Sequence, residues 1–101
     1  MKKILLCCNA GMSTSLLVQK MEKEVEARGL DLTIEARPLN EARERLDDAT
    51  IVLLGPQIAY TKGDFEEALA GTGIPVEVIP MVDYGRMNAA KIIDEALERI
   101  G

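Results

Sequence analysis

The stretch Ile4-Leu5-Leu6-Cys7-Cys8-Asn9-Ala10-Gly11-Met12-Ser13-Thr14-Ser15 decides how this chain folds. Preceded by the basic pair Lys2-Lys3, it opens as a short, continuous apolar run, the pattern of a strand buried on both faces. Asn9-Ala10-Gly11 then breaks the run. Beyond Ser13, Thr14 and Ser15, the apolar residues Leu17, Met21 and Val25 recur every four positions among Gln19, Lys20, Glu22, Lys23 and Glu24, which predicts an amphipathic helix. Arg28-Gly29 ends it, with a cation in the last turn and a residue free to take positive φ. A buried strand, a small-residue turn and a helix together make the first half of a parallel α/β unit.

The rest of the chain repeats that alternation. Leu30 to Ala36 alternates strictly between apolar and polar residues, so it reads as an edge strand with one face toward water. A short charged helix is expected around Glu41 to Leu46. Ile51-Val52-Leu53-Leu54 is again continuously apolar and reads as a central strand ended by Gly55-Pro56. After the break at Gly63, Asp64 is expected to cap a helix through Phe65, Ala68 and Leu69. Pro75 to Ile79, with Glu77 in its middle, suits the opposite edge. Asn88 is expected to cap a last helix whose Ile92, Ile93, Ala96, Leu97 and Ile100 form its buried stripe.

Central first and third strands and peripheral second and fourth strands give an α/β fold, a three-layer, doubly wound, four-stranded parallel sheet of order 2-1-3-4. This is the flavodoxin-like, or low-molecular-weight-phosphatase-like, topology. Chain direction reverses between the first and third strands, so a ligand crevice is expected outside their carboxyl ends, at Cys8 and at Gly55-Pro56.

Length and composition narrow the function. The 101 residues suit one domain, 1–101, and leave no room for a catalytic plus a regulatory unit. With 12 basic and 17 acidic residues and no basic cluster, nucleic-acid binding is not expected. The chain has no histidine, and its two cysteines are adjacent, so no metal site is expected. Neighbouring cysteines close almost no loop, which makes both free thiols. Two tyrosines, one phenylalanine and no tryptophan give little material to stack a flavin or a nucleobase, which weakens several cofactor readings. No segment is long enough to insert in a membrane, and a cytoplasmic protein is expected.

A thiol leaving a strand just before a small-residue turn and a helix N-terminus lies beside backbone N–H groups and a positive dipole end. Both favour anions, making Cys8 a candidate nucleophile and the segment Asn9, Ala10, Gly11, Met12, Ser13, Thr14 and Ser15 a candidate phosphate loop. Strand alternation separates the thiols: Cys7 continues the buried run, whereas Cys8 leaves the sheet. The same residues also read as two small apolar side chains ending a strand and three hydroxyls capping a helix. Gln57 and Tyr60, after the third strand, and Tyr84, after the fourth, face the same crevice as secondary candidates. A cysteine phosphatase or arsenate reductase of this topology would carry Cys-x5-Arg, but position 14 is Thr.

The segments Ile4 to Leu17 and Val52-Leu53-Leu54-Gly55-Pro56-Gln57-Ile58-Ala59-Tyr60, with Pro75-Val76-Glu77-Val78-Ile79 followed by Tyr84-Gly85, resemble the IIB component of the bacterial sugar phosphotransferase system (PTS), lactose/cellobiose (N,N'-diacetylchitobiose) family. The resemblance covers nearly the whole chain. It implies that Cys8 accepts a phosphoryl group from a phosphohistidine on a IIA partner. It also implies that Cys8 passes the group to a disaccharide of the cellobiose, chitobiose or lactose type held by the membrane permease IIC. Asn9 to Ser15 would be the phosphate loop, with no cofactor. Cys7 and Thr61-Lys62-Gly63-Asp64 depart from the family pattern. The alternatives are a cysteine phosphatase or arsenate reductase-like enzyme and a IIB-like regulatory binding module.

Overall fold

The computed structural model describes residues 2–8 and 12–100; the side chains of Met12 and Ser13 lie outside that description. β1 (Lys2–Cys8) pairs on one side with β2 (Leu32–Pro38) and on the other with β3 (Ile51–Leu54), and β4 (Val76–Val78) pairs with the far side of β3. All pairings are parallel and the order is β2-β1-β3-β4, as the burial patterns predict. Ile4, Leu5, Leu6 and Cys7 are fully buried, as a central parallel strand with both faces covered requires.

The two faces of β1 feed two cores. Ile4 and Leu6 pack with Leu17, Met21 and Val25 of α1 (Met12–Arg28), and with Ile92, Ile93 and Ala96 of the last helix. Leu5 and Cys7 pack on the other face with Ala42, Ile58, Phe65 and Leu69. Ala42 belongs to α2 (Leu39–Ala42) and Phe65 to α3 (Lys62–Ala68). A short helix, α4 (Met81–Gly85), precedes α5 (Ala89–Ile100).

α1 ends where Arg28-Gly29 predicts. Gly29 sits at φ 64°, its N–H donates to Glu26 O at 3.1 Å, and Leu30 N–H donates to Val25 O at 3.0 Å. This pair of bonds satisfies carbonyls the helix would otherwise leave unpaired. The Arg28 guanidinium then joins α1 to α5, donating to Glu24 and to Asp94, each at 2.6 Å. Asn88 caps α5 as expected, its Oδ1 accepting from Lys91 N–H at 3.3 Å.

Several boundaries differ from the sequence reading. β2 is Leu32–Pro38 rather than 30–36, because Leu30 is used to close α1 and the strand runs on through Arg37 to Pro38 beside Cys8. The helix expected at 41–46 is instead α2 at Leu39–Ala42 followed by a 3-10 turn at Leu46–Asp48. Gly63 does not break the chain and Asp64 does not cap a helix. A 3-10 turn over Pro56–Thr61 runs directly into α3 at Lys62, placing both residues inside its first turn. The α4 helix is absent from the sequence reading, since five residues are too few to show helical periodicity.

The second face of β2 meets solvent at Thr33, as expected, and carries an ion cluster at Glu35. Glu35 accepts from Arg37 Nε at 3.0 Å and Lys3 Nζ at 3.4 Å, and Arg45 Nε pairs with it at 2.7 Å. The hydrogen bond from Arg37, helped by Lys3 and Arg45, holds the Glu35 carboxyl below its ordinary value of 4.5 against the opposing effect of burial. A lowered folded-state value adds stability that is present above the ordinary value and lost as pH falls through the folded one. Glu35→Gln is therefore expected to lower the urea midpoint at pH 7, with the gap from wild type closing below pH 4.5. Phe65 is almost wholly buried, and Phe65→Ala should cost about 3–5 kcal/mol in the same assay.

Candidate functional site

The site lies at the carboxyl ends of β1 and β3, where the chain reverses its direction of travel through the sheet. Cys8 is the last residue of β1, beside Pro38 of β2, with its Sγ 3.7 Å from the Arg37 carbonyl. By strand alternation its side chain shares the face of Ile4 and Leu6, the face on which α1 packs. Cys7 points the opposite way, into the core with Ile58 and Phe65.

Cys7 is the more deeply buried of the two thiols. Cys7 has no exposed surface, and burial, reinforced by the adjacent Cys8, pushes its thiol up to about 12. It stays protonated at neutral pH and serves as packing. Cys8 retains 7% of its surface. Its neighbours in sequence, Asn9, Ala10 and Gly11, lie outside the described residues, so the expected phosphate loop is described only from Met12 onward. Met12, Ser13, Thr14 and Ser15 form the first turn of α1 rather than a segment before it. Ser15 is exposed.

Thr14 is 4% exposed, and its Oγ1 lies 3.1 Å from the hydroxyl of Tyr84, seventy residues away. Gly55 explains how the tyrosine reaches it. The Gly55 N–H donates to Cys7 O at 3.0 Å, holding the end of β3 against the end of β1. A Cβ at Gly55 would stand 3.7 Å from Tyr84 Cε1 and 3.2 Å from Gln57 Oε1. The ring of Tyr84 and the amide of Gln57 therefore both approach the end of β3. Tyr60, by contrast, is 78% exposed.

Of the secondary candidates, the structure brings Tyr84 and Gln57 together at the end of β3, while Tyr60 is exposed on the turn that follows. The pairing of Thr14 with Tyr84 has no sequence signal beyond the position of both residues past strand ends. Leu16 on α1 and Met81 and Val82 on α4 are large apolar residues left exposed, which the sequence reading did not single out. Among the described residues no group of three or more His, Cys, Asp or Glu side chains is placed to hold a metal. A separate groove between β4 and α5, lined by Glu77, Pro80 and Arg99, is bridged by the Arg99–Glu77 ion pair at 2.8 Å and holds no nucleophile.

The model of the PTS system, Lactose/Cellobiose specific IIB subunit, matches residues 3–95. The chain belongs to that family. The oligo-beta-mannoside-specific EIIB component of Bacillus subtilis (strain 168) is 41% identical over 97 residues, covering 96% of this chain and 94% of that protein. The solution structure of the cellobiose-specific phosphotransferase IIB component from Borrelia burgdorferi superposes with a TM-score of 0.80 at 41% identity, over 98% of this chain and 91% of that one. The lactose-specific IIB domain from Streptococcus pneumoniae superposes with a TM-score of 0.87 over 97% of this chain and 96% of that one. At 13% identity it bears on the fold alone.

This IIB-family chain is thus a component of a sugar phosphotransferase system, and its four-stranded sheet is that of its solved relatives. Among the described residues no helix is long and apolar enough to cross a membrane. The difference between its thiols is open to a direct check. Under native conditions a small alkylating reagent should label Cys8 and spare Cys7, with the second label appearing only in denaturant. Peptide mass spectrometry reads the site.

Proposed function

We propose that Cys8 is the phosphoryl-carrying nucleophile of this IIB component, with residues 1–101 acting as one IIB unit. It takes a phosphoryl group from a phosphohistidine of a IIA protein and delivers it to a sugar held by the membrane permease IIC. The observation that carries the reading is the position of Cys8, the less deeply buried of the two thiols, at the end of the central strand where the sheet order reverses. Work beside a membrane permease in the cytoplasm follows from that role.

In the first step the Cys8 thiol gives up its proton, the sulfur attacks phosphorus, an S–P bond forms, and the N–P bond of phosphohistidine breaks. The histidine nitrogen keeps the electron pair and takes up the thiol proton. In the second step a sugar hydroxyl oxygen attacks the phosphorus, an O–P bond forms, and the S–P bond breaks, returning the pair to the Cys8 sulfur, which takes up the hydroxyl proton. Both displacements run in line, with charge spread over the equatorial oxygens. Backbone amides of the segment Asn9 to Ser15 and the dipole of α1 would carry that charge. No cofactor is required.

The chemistry of position 14 favours a relay over a hydrolase. A phosphatase or reductase of this topology uses an arginine fork there to hold the phosphoryl group while water attacks. Thr14 supplies no charge, so stabilisation of the intermediate is moderate and the group remains transferable. Relatives named for oligo-β-mannosides and cellobiose support a disaccharide-type sugar, and a relative named for galactose extends the class to a monosaccharide.

The test is peptide mass spectrometry after incubation with phosphoenolpyruvate, the general phosphotransfer proteins and a cognate IIA. An added phosphoryl group is expected on the Cys8 peptide, dependent on IIA. Cys8→Ser should abolish sugar phosphorylation, and Cys7→Ser should retain most of it. Loss with Cys7→Ser and retention with Cys8→Ser would overturn the assignment. Release of inorganic phosphate from phenyl phosphate by the pure protein would favour the phosphatase reading instead.

A further inference from the structure

The contact between Thr14 and Tyr84 joins the first turn of α1 to α4. After α4, Met87 adopts φ 52°, left-handed space that a residue with a side chain seldom enters. Met87 N–H donates to Tyr84 O at 3.1 Å, and Asn88 N–H donates to Asp83 O at 2.9 Å, closing the helix with the paired bonds that Gly29 makes at the end of α1. Glycine is absent where it would be least strained. Such a conformation persists only when its surroundings over-determine it.

Those surroundings are present. The Asp83 carboxylate is buried and pairs with Lys91 Nζ of α5 at 3.4 Å, while Asn88 caps α5. The ring of Tyr84 packs against the core cluster shared by β1, α1 and α5, and lies over Gly55 at the end of β3. The phenol is therefore fixed at both ends, with its ring on β3 and its backbone locked to α5. Its hydroxyl meets Thr14 as a placed group rather than a free rotor.

Two hydroxyls in one hydrogen bond hold two protons, of which the bond uses one. The phenol is the more acidic group and the better donor, so it donates to Thr14 Oγ1. The Thr14 proton is then left for a third acceptor. Thr14 lies in the first turn of α1, and its partner Tyr84 lies over Gly55, whose N–H donates to the carbonyl of Cys7 next to Cys8, so the hydroxyl pair stands at the end of the strand that carries that sulfur.

We propose that Tyr84 is a positioning residue for phosphoryl transfer: by donating to Thr14 Oγ1 it turns the Thr14 O–H toward the anionic group on the Cys8 sulfur. The inference builds on the phosphocysteine reading of Cys8. It gives the site one neutral, oriented side-chain donor at the position where a phosphatase holds an arginine, enough to orient the group without trapping it. Tyr84 itself does not touch the phosphoryl group.

The test compares wild type, Tyr84→Phe, Thr14→Val and the double variant. Tyr84→Phe keeps the ring, so packing on Gly55 and the core survives. The first readout is the ratio of Cys8 alkylation rates by iodoacetate and by neutral iodoacetamide, which reports anion orientation without any phosphotransfer partner. The second is the lifetime of the phosphoryl group on Cys8. Each single variant should lower the iodoacetate preference about tenfold to a hundredfold, as expected for loss of a hydrogen bond to a charged group. The double variant should fall no further, because the two hydroxyls act as one unit.

A Tyr84→Phe protein with wild-type preference overturns the proposal, as does one in which both reagents slow equally or one whose effect adds to that of Thr14→Val. If wild type fails to accept a phosphoryl group from IIA while the alkylation coupling holds, the relay reading falls and the positioning role stands. If phosphorylation proceeds and the coupling is absent, the reverse conclusion follows.

Discussion

Hydrogen bonding of β1 on both edges at once is the constraint on which the rest of the molecule depends. With β2 on one side and β3 on the other, the strand has no free edge, and both of its faces must be covered by apolar layers. That requirement explains the unbroken run Ile4 to Cys7 and the helices on both sides of the sheet. It also fixes where chemistry can occur. A chain that fills the middle of a parallel sheet first must reverse direction between its first and third strands, and the space left outside their carboxyl ends receives Cys8.

The same pairing makes two adjacent thiols unlike each other. One residue of strand alternation sends Cys7 into the core with Phe65 and leaves Cys8 on the α1 face at the strand end. Burial pushes the Cys7 thiol to about 12, so it stays a neutral packing group at neutral pH. The neighbouring thiol is free to act alone. The extended backbone that holds them on opposite faces also keeps them from closing a disulfide between neighbours.

Much of this was legible in the residues because it follows from periodicity. Continuous apolar runs marked the central strands, alternation marked β2, and Arg28-Gly29 and Asn88 marked helix ends that the hydrogen bonds reproduce. What periodicity does not encode was lost. α4 is too short to show a period, and the hydroxyl contact between Thr14 and Tyr84 spans seventy residues. Asp64 looked like a cap because Gly63 looked like a break. The turn beginning at Pro56 instead carries the chain into α3 without interruption, so neither residue does what its type suggested. Tyr60 and Tyr84 were indistinguishable as letters, and only the fold separates the exposed ring from the one seated on Gly55.

The central claim is that the covalent bond to phosphorus runs through sulfur. Phosphorus NMR of the protein after exposure to phosphorylated IIA tests it most directly, because a phosphorus bonded to sulfur resonates apart from one bonded to nitrogen or oxygen. The account predicts a single protein-bound thiophosphate resonance, absent from Cys8→Ser and retained in Cys7→Ser. A resonance of the phosphate-ester type, or one that survives Cys8→Ser, would contradict it.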